Sequence, residues 1–124
     1  MNVLVDSDIL IEVCRGRDKD IVGRWLELSG SETAILYSPV TAAELCVGVL
    51  PGEHTLVSRL FQALLCAEID SETGQQAGSF LRQYQKSHNV GLGDALIAAT
   101  ALQNQAALWT RDRKHYPMKQ LSFF

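Results

Sequence analysis

Residues 2–11 read NVLVDSDILI, and this stretch indicates the class of fold. The run Asn2–Val5 is short, apolar and β-branched, which is typical of a buried strand, and it stops at Asp6. Apolar residues then follow at helical spacing from Ile9 to Cys14. A strand that leads through an acid into a helix is typical of a parallel sheet with helices packed on it.

The alternation of strands and helices continues along the 124 residues of the chain. Further strands are predicted at residues 34–37, 67–70, 107–110 and 121–124. Helices are predicted after caps at Asp18 and Thr41, over residues 55–65, from Ser71 to about 88, and from Asp94 to about 103. We therefore expect an α/β fold: a single α/β/α sandwich domain over residues 1–124 with a central, mainly parallel sheet.

The composition excludes several classes of protein. Apolar residues make up 47% of the chain and charged residues 20%, which excludes a disordered or fibrous protein. With 11 basic and 14 acidic residues the net charge is -3, so a generally basic protein that coats nucleic acid is excluded too. The longest apolar stretch with little charge, residues 90–110, contains Thr, Gln and Asn and is too polar to cross a bilayer.

The cysteines and the first residues indicate the compartment. Cys14, Cys46 and Cys66 are widely spaced and form no CxxC motif, which argues against a disulfide scaffold or a zinc ribbon. Reduced and mostly buried thiols are expected instead. The first residues carry no basic region before Asp6, so no signal peptide is expected. These features together predict a cytoplasmic protein without a membrane segment.

Four acids stand where a carboxylate is costly or where a site is expected. Asp6 and Asp112 follow the first and fourth predicted strands, and Asp94 begins the most apolar helix. Glu44 lies inside a helix that is apolar nearly all round, where an unpaired carboxylate costs several kcal/mol. Because sites of parallel sheets lie at the carboxyl ends of the strands, these acids are expected to converge at one edge.

Each acid also has a structural interpretation. Asp6 is suited to cap the following helix, and Asp94 suits a first turn favoured by the helix dipole. Asp112 is a common turn residue, and Glu44 would be structural if it paired with an arginine. Taken together, however, four ionised carboxylates repel one another, and a divalent cation resolves that conflict. Oxygen ligands favour Mg²⁺ or Mn²⁺, which activates water and stabilises charge on a phosphodiester.

Other side chains are secondary candidates. Asp8 is predicted to cap the first helix or to support Asp6, and Thr110 to lend a hydroxyl or simply to pack in its strand. The three histidines show no metal-ligand spacing. A basic cluster after the fourth strand is either a solvated turn or a group that holds phosphates. Its members are Arg111, Arg113, Lys114 and Lys119.

Four motifs together resemble the PIN domain, and specifically the small VapC-type toxins of prokaryotic toxin–antitoxin pairs. The motifs are Val5–Ile11, Thr41–Gly48, Gly93–Ala99 and Leu108–Tyr116. The order of the motifs and the chain length carry the resemblance, which covers nearly the whole chain. Two positions depart from the usual pattern, where the family often has Asn: Asp8 and Asp112.

The resemblance implies a function and a set of site residues. The acidic quartet of the family carries over to Asp6, Glu44, Asp94 and Asp112, with Asp6, Asp94 and Asp112 as metal ligands. It implies a Mg²⁺- or Mn²⁺-dependent endoribonuclease that cuts structured RNA, commonly tRNA or rRNA. It also implies a cognate antitoxin as partner and a tendency to form homodimers.

Three alternatives remain open at this point. Asp6-Ser7-Asp8 also resembles the first motif of haloacid-dehalogenase-like phosphatases, which need a later catalytic lysine. A receiver domain would use Asp70 as its phosphoacceptor and a lysine where Thr110-Arg111 stands. Neither alternative explains Glu44 or Asp94. The third alternative is an inactive PIN-fold scaffold that binds RNA or protein.

Overall fold

A computed structural model describes residues 1–124 and contains a parallel sheet between layers of helices. The strands are β1 (Asn2–Val5), β2 (Ala34–Tyr37), β3 (Leu65–Cys66) and β4 (Ala106–Trp109). The helices are α1 (Ser7–Arg15), α2 (Lys19–Ser29), α3 (Pro39–Gly48), α4 (His54–Ala63), α5 (Ser71–His88) and α6 (Leu92–Gln103). Short 3₁₀ turns cover Pro51–Glu53 and Arg113–His115. The predicted α/β/α architecture is confirmed.

The strand order is β3-β2-β1-β4, and every pair is parallel. β1 lies in the middle, with Val5 opposite Trp109 of β4. The ladder continues one step further, because the backbone N–H of Asp6 donates to the carbonyl oxygen of Trp109 at 2.9 Å. The residues that follow β1 and β4 are therefore held side by side at the carboxyl edge of the sheet.

Each face of the sheet has its own apolar core, because successive side chains of a strand point to opposite faces. Leu4 and Leu108 pack with α5 and α6, around Phe80 and Ile97. On the other face Val3, Val5 and Trp109 pack with α1 to α4, through Ile9, Leu10, Ile21, Leu45 and Leu60. A fully buried side chain of this size contributes about 2 kcal/mol. None of the helices combines the length and the apolar character needed to cross a membrane.

Three predicted elements differ most from the structure. The third helix begins at Pro39 rather than after Thr41, because the Ser38 hydroxyl accepts the Val40 N–H and proline suits a first helical position. The third strand is Leu65–Cys66 rather than 67–70, since Asp70 already caps α5. Residues 121–124 form only a single parallel bridge, between Phe123 and Leu108.

The expectation of mostly buried thiols is also wrong. Cys46 and Cys66 are exposed, and only Cys14 is partly buried. All three are free thiols, as predicted.

Candidate active site

Asp6 is a buried carboxylate at the junction of β1 and α1, with only 7% of the residue exposed. It is the N-cap of α1, and its Oδ1 accepts the Ser7 N–H at 2.8 Å. Its Oδ2 accepts two hydroxyl hydrogen bonds, from Thr110 at 3.0 Å and from Tyr116 at 2.8 Å. These donors satisfy the oxygens of the buried carboxylate, and no basic side chain pairs with it.

Glu44 lies near Asp6 but is exposed, which corrects the expectation of a carboxylate buried in an apolar helix. Only Thr41 and Leu45 of α3 are buried, so the helix turns one narrow face to the core. The Ser7 hydroxyl donates to Glu44 Oε1 at 3.4 Å. Partial burial raises the pKa of the Glu44 carboxyl, and the charges of Asp6, Asp94 and Asp8 raise it further.

Asp94 is partly buried in the first turn of α6. Helices α6 and α3 approach closely here, since a β-carbon placed on Gly93 would lie 3.4 Å from Val40 Cγ1. Burial raises the pKa of the Asp94 carboxyl, and the charges of Asp6 and Asp112 add to the rise. A hydrogen bond from the Gly91 backbone and the charge of His115 oppose it.

Asp112 lies in the loop after β4, and its charge acts on Asp94, where it raises the pKa of the carboxyl. Its N–H donates to the Thr110 hydroxyl at 3.1 Å, and its Oδ2 is 3.3 Å from His115 Nδ1. His115 has no useful spacing to the other histidines in the sequence, but the turn Arg113–His115 folds it back onto Asp112. The structure thus places the four predicted acids within range of one another's charges, since Asp6 and Asp94 act on Glu44 and Asp112 acts on Asp94, and it adds a histidine beside Asp112.

Asp8 does not cap α1 as predicted, because Asp6 is the N-cap. Instead Asp8 Oδ2 accepts the Arg111 N–H at 3.0 Å and lies 3.5 Å from the Thr110 hydroxyl. Its Oδ1 is buried and has no hydrogen-bond partner. Burial raises the pKa of the Asp8 carboxyl, and the charge of Asp6 raises it further. Asp8 therefore ties the loop after β4 to the start of α1 and leaves one oxygen free.

Glu12 was missed by the sequence analysis and is the most thoroughly paired acid next to the site. The residue is 4% exposed, and its Oε2 accepts the backbone N–H groups of Arg17 at 2.9 Å and Asp18 at 3.2 Å. Its Oε1 pairs with the guanidinium of Arg111 at 3.4 Å. Desolvation opposes ionisation, but these hydrogen bonds outweigh it and lower the pKa of the Glu12 carboxyl. A lone acid inside the apolar run Ile9–Cys14 was the available signal.

Arg111 therefore serves the fold rather than a ligand. Besides Glu12, its guanidinium pairs with Asp18 at 2.8 Å. The same residue's backbone holds Asp8, so Arg111 fastens the loop that carries Asp112 to the turn between α1 and α2.

Tyr116 is the second residue that the sequence analysis left without a role. It is 4% exposed, and burial together with the neighbouring Asp6 charge raises the pKa of its phenol, which keeps it a hydrogen-bond donor. The only sequence feature that pointed to Tyr116 was its place in the fourth motif, Leu108–Tyr116.

Asp70, by contrast, lies apart from the acids described above: it caps α5, and its carboxylate accepts hydrogen bonds from the N–H and the hydroxyl of Thr73. That position does not suit the receiver-domain alternative.

The donor set of the site fits a hard divalent cation. Its carboxylate oxygens are the ligands that Mg²⁺ and Mn²⁺ prefer. The basic side chains that pair with carboxylates in this region, Arg17 and Arg111, are engaged by Glu12 and Asp18. The free, buried Oδ1 of Asp8 is a further oxygen without a donor. In the arrangement described, no three acidic, histidine or cysteine side chains are positioned to hold one ion. It is therefore the chemistry of the donors, rather than their spacing in this arrangement, that fits such an ion.

The chain matches the PIN domain family over residues 3–121. Ribonuclease VapC10 of Mycobacterium tuberculosis is 37% identical over 121 residues, which cover 94% of this chain and 86% of that protein. Among solved structures, VapBC2 from Rickettsia felis, bound to a DNA fragment from its promoter, has a TM-score of 0.83 at 18% identity and covers 100% of this chain and 98% of that one. A toxin–antitoxin complex from Klebsiella pneumoniae has a TM-score of 0.74 at 21% identity, with 96% and 94% covered.

Proposed function

The chain belongs to the PIN domain family as a relative of the VapC ribonucleases, and we propose that it is the endoribonuclease toxin of a toxin–antitoxin pair. We assign it structured RNA, tRNA or rRNA, as substrate. The activity is assigned to one domain over residues 1–124, acting in the cytoplasm, where such RNA is found.

One observation supports the catalytic site above all others. Glu44 and Asp94 each have a pKa raised by burial and by the charge of Asp6, and neither forms an ion pair with lysine or arginine. Acidic side chains that repel one another and have no basic partners are expected to bind a charged ligand rather than to stabilise the fold. We therefore propose Asp6, Glu44, Asp94 and Asp112 as the catalytic residues.

Asp6, Asp94 and Asp112 would hold Mg²⁺ or Mn²⁺, directly or through water. When bound, such an ion stabilises negative charge that develops on the phosphodiester and lowers the pKa of water. Glu44 completes the set: its raised pKa makes it a stronger base, suited to accept a proton from the attacking water. The hydroxyls of Thr110 and Tyr116 fix the orientation of the Asp6 carboxylate.

A cognate antitoxin is the proposed protein partner, as in the toxin–antitoxin complexes that share this fold. Exposed apolar side chains support a protein partner: Val47 of α3 is 89% exposed, and Leu50 and Leu56 are 55% and 49% exposed. Such side chains are unfavourable in water and are typical of a surface that another chain covers. Homodimer formation stays a prediction from the family resemblance.

The proposed function is tested by induced expression in a bacterial host, with the wild type beside Asp94→Asn. The wild type is expected to arrest growth and to produce discrete new RNA 5′ ends. The variant should lose both, with cleavage reduced at least about 100-fold, because it lacks one metal ligand.

The melting temperature of the metal-free variant serves as the control for folding. Loss of one charge from a repulsive group should leave it unchanged or raise it. Cleavage by Asp94→Asn at the wild-type rate would contradict the site. A soluble wild type that produces neither arrest nor new RNA ends would favour the inactive scaffold.

A further inference from the structure

Two arginines beside the candidate site are stacked on aromatic rings and have no acidic partner. The guanidinium carbon of Arg24, on α2, lies 4.3 Å from the ring centroid of Phe124 and 5.3 Å from that of Trp109. The guanidinium carbon of Arg113 lies 4.9 Å from the centroid of Phe123. We call these two arginines and the rings of Phe123 and Phe124 the arginine–aromatic strip.

The strip lies at the β4 edge of the sheet, close to the acids. The segment that carries both phenylalanines runs along β4, where the Phe124 N–H donates to the Leu108 carbonyl oxygen at 2.9 Å. Arg24 covers the ring of Trp109, which directly precedes Thr110, and Arg113 directly follows Asp112. Arg24 thus stacks on a residue next to Thr110, the hydroxyl donor to Asp6, and Arg113 itself lies three positions after Thr110 in the chain.

The charges of the strip are not compensated by Asp or Glu side chains. The arginines that pair with acids are Arg15, Arg17 and Arg111. Arg113 donates only to the main-chain oxygen of Phe124, at 3.4 Å, and both strip arginines are exposed. In a chain with net charge -3, two unpaired guanidinium groups beside a strongly acidic site mark the place where an anion is attracted rather than repelled.

Stacking prepares a guanidinium group to bind phosphate. A ring beneath the planar group fixes its orientation through the cation–π interaction, while the N–H donors at its edge stay free. Those donors match the oxygens of a phosphodiester in a bidentate manner, and less side-chain entropy is lost on binding when the group is already held.

We propose that the arginine–aromatic strip binds the phosphate backbone of the RNA substrate and holds it across the acidic site. This inference rests on the proposed function and adds to it the residues that bind the substrate. It also divides the basic cluster after β4: Arg113 contacts RNA, whereas Arg111 is committed to Glu12 and Asp18.

The test measures RNA binding without cleavage. Fluorescein-labelled bulk bacterial tRNA is titrated with Asp94→Asn protein that carries either no further change or the pair Arg24→Gln and Arg113→Gln. Loss of two phosphate contacts should weaken binding by about ten-fold at moderate salt. The slope of log affinity against log salt should fall by about 1.5.

The matched control is Arg59→Gln in the same background. Arg59 is an exposed arginine on α4, which packs beside β3 at the opposite edge of the sheet. It should bind tRNA within about two-fold of its parent and with the same salt slope. A double variant that binds like this control overturns the inference.

A second pair, Arg24→Lys with Arg113→Lys, covers the case in which the glutamine pair unfolds. It keeps both charges and loses the planar stacked group. It should retain the salt slope while binding more weakly than its parent; binding equal to the parent, or a slope reduced by about 1.5, overturns the inference.

Cleavage by the same pairs in the otherwise wild-type chain separates the two proposals. A wild type that cleaves no RNA contradicts the nuclease, and binding that depends on the strip would still support the strip. A wild type that cleaves RNA with KM unaffected by the glutamine pair contradicts the strip and leaves the nuclease intact.

Discussion

Glu12 on α1 and Glu44 on α3 each interrupt an apolar helical run, but Glu12 is 4% exposed and Glu44 lies at the surface. Glu12 accepts two backbone N–H groups and pairs with Arg111, and its pKa is lowered. Glu44 has one long hydrogen bond, from Ser7, and its pKa is raised. A charge that is fully paired holds the structure together, whereas a charge left among other acids is available for chemistry.

Glu44→Gln is expected to reduce activity and not stability. The opposite result would contradict the contrast between Glu44 and Glu12. We expect RNA cleavage to fall at least about 100-fold, because the substitution removes the proposed proton acceptor. The melting temperature of the metal-free protein should stay the same or rise, since one repulsive charge is gone. Cleavage assays and thermal melts of the purified protein test both statements. A melting temperature that falls by more than about 5 °C would assign Glu44 to the fold.

Glu12→Gln is expected to have the opposite effect: it should reduce stability and change activity far less. A neutral amide leaves Arg111 with Asp18 as its one charged partner, and it places N–H donors against either the Arg111 guanidinium or the backbone N–H groups of Arg17 and Asp18. The melting temperature should fall by about 5 to 10 °C. Cleavage per folded molecule should change far less than for Glu44→Gln. An unchanged melting temperature would show that the Glu12 network does not stabilise the protein.

The stability of the protein should depend on pH in two ways, because some carboxyls have a raised pKa and others a lowered one. Burial raises the folded-state pKa of Asp8, Glu44 and Asp94 above the usual 3.8 to 4.5. Between the usual and the raised pKa values the folded protein binds more protons than the unfolded chain, so the metal-free protein becomes more stable as pH falls from neutral toward the usual values of 3.8 to 4.5. Glu12 and Asp18 have lowered pKa values, so their contribution is present above the unfolded pKa and is lost as pH falls below about 4.

Thermal melts from pH 7 to 3 in the presence of a chelator check this expectation. The melting temperature should pass through a maximum at mildly acidic pH. In Glu44→Gln the rise between pH 7 and 5 should be smaller. A melting temperature that falls steadily as the pH is lowered from 7 would contradict the expectation that the acids of the site repel one another.

The sequence was sufficient for the parallel α/β architecture, because the alternation of strands and helices is a local pattern. β1 and β2 agree with prediction at both ends, and acids placed at strand ends converge as a parallel sheet requires. The burial of Glu44 was predicted wrongly, since an apolar helix needs to bury only one face and α3 exposes Val47. The same reasoning applied to Ile9–Cys14 would have identified Glu12.

The partners of these acids could not be read from local patterns. Tyr116 and Thr110 reach Asp6 from 110 and 104 positions along the chain, and Arg111 reaches Glu12 across 99. Such contacts depend on how the last segment folds back over the sheet. Spacing between histidines was equally uninformative for His115, whose contact with Asp112 comes from a turn of three residues.

The distance along the chain between Asp6 and its hydroxyl donors has a consequence for synthesis. Thr110 and Tyr116 follow Asp6 by 104 and 110 positions, so a ribosome must translate all of that chain before either hydroxyl exists to orient the first acid. β1 cannot pair with β4 any earlier, and such non-local parallel pairing is slow to form. An interrupted copy that ends before β4 therefore lacks both hydroxyl donors of Asp6 and also Asp112, so the group of acids is not assembled in it.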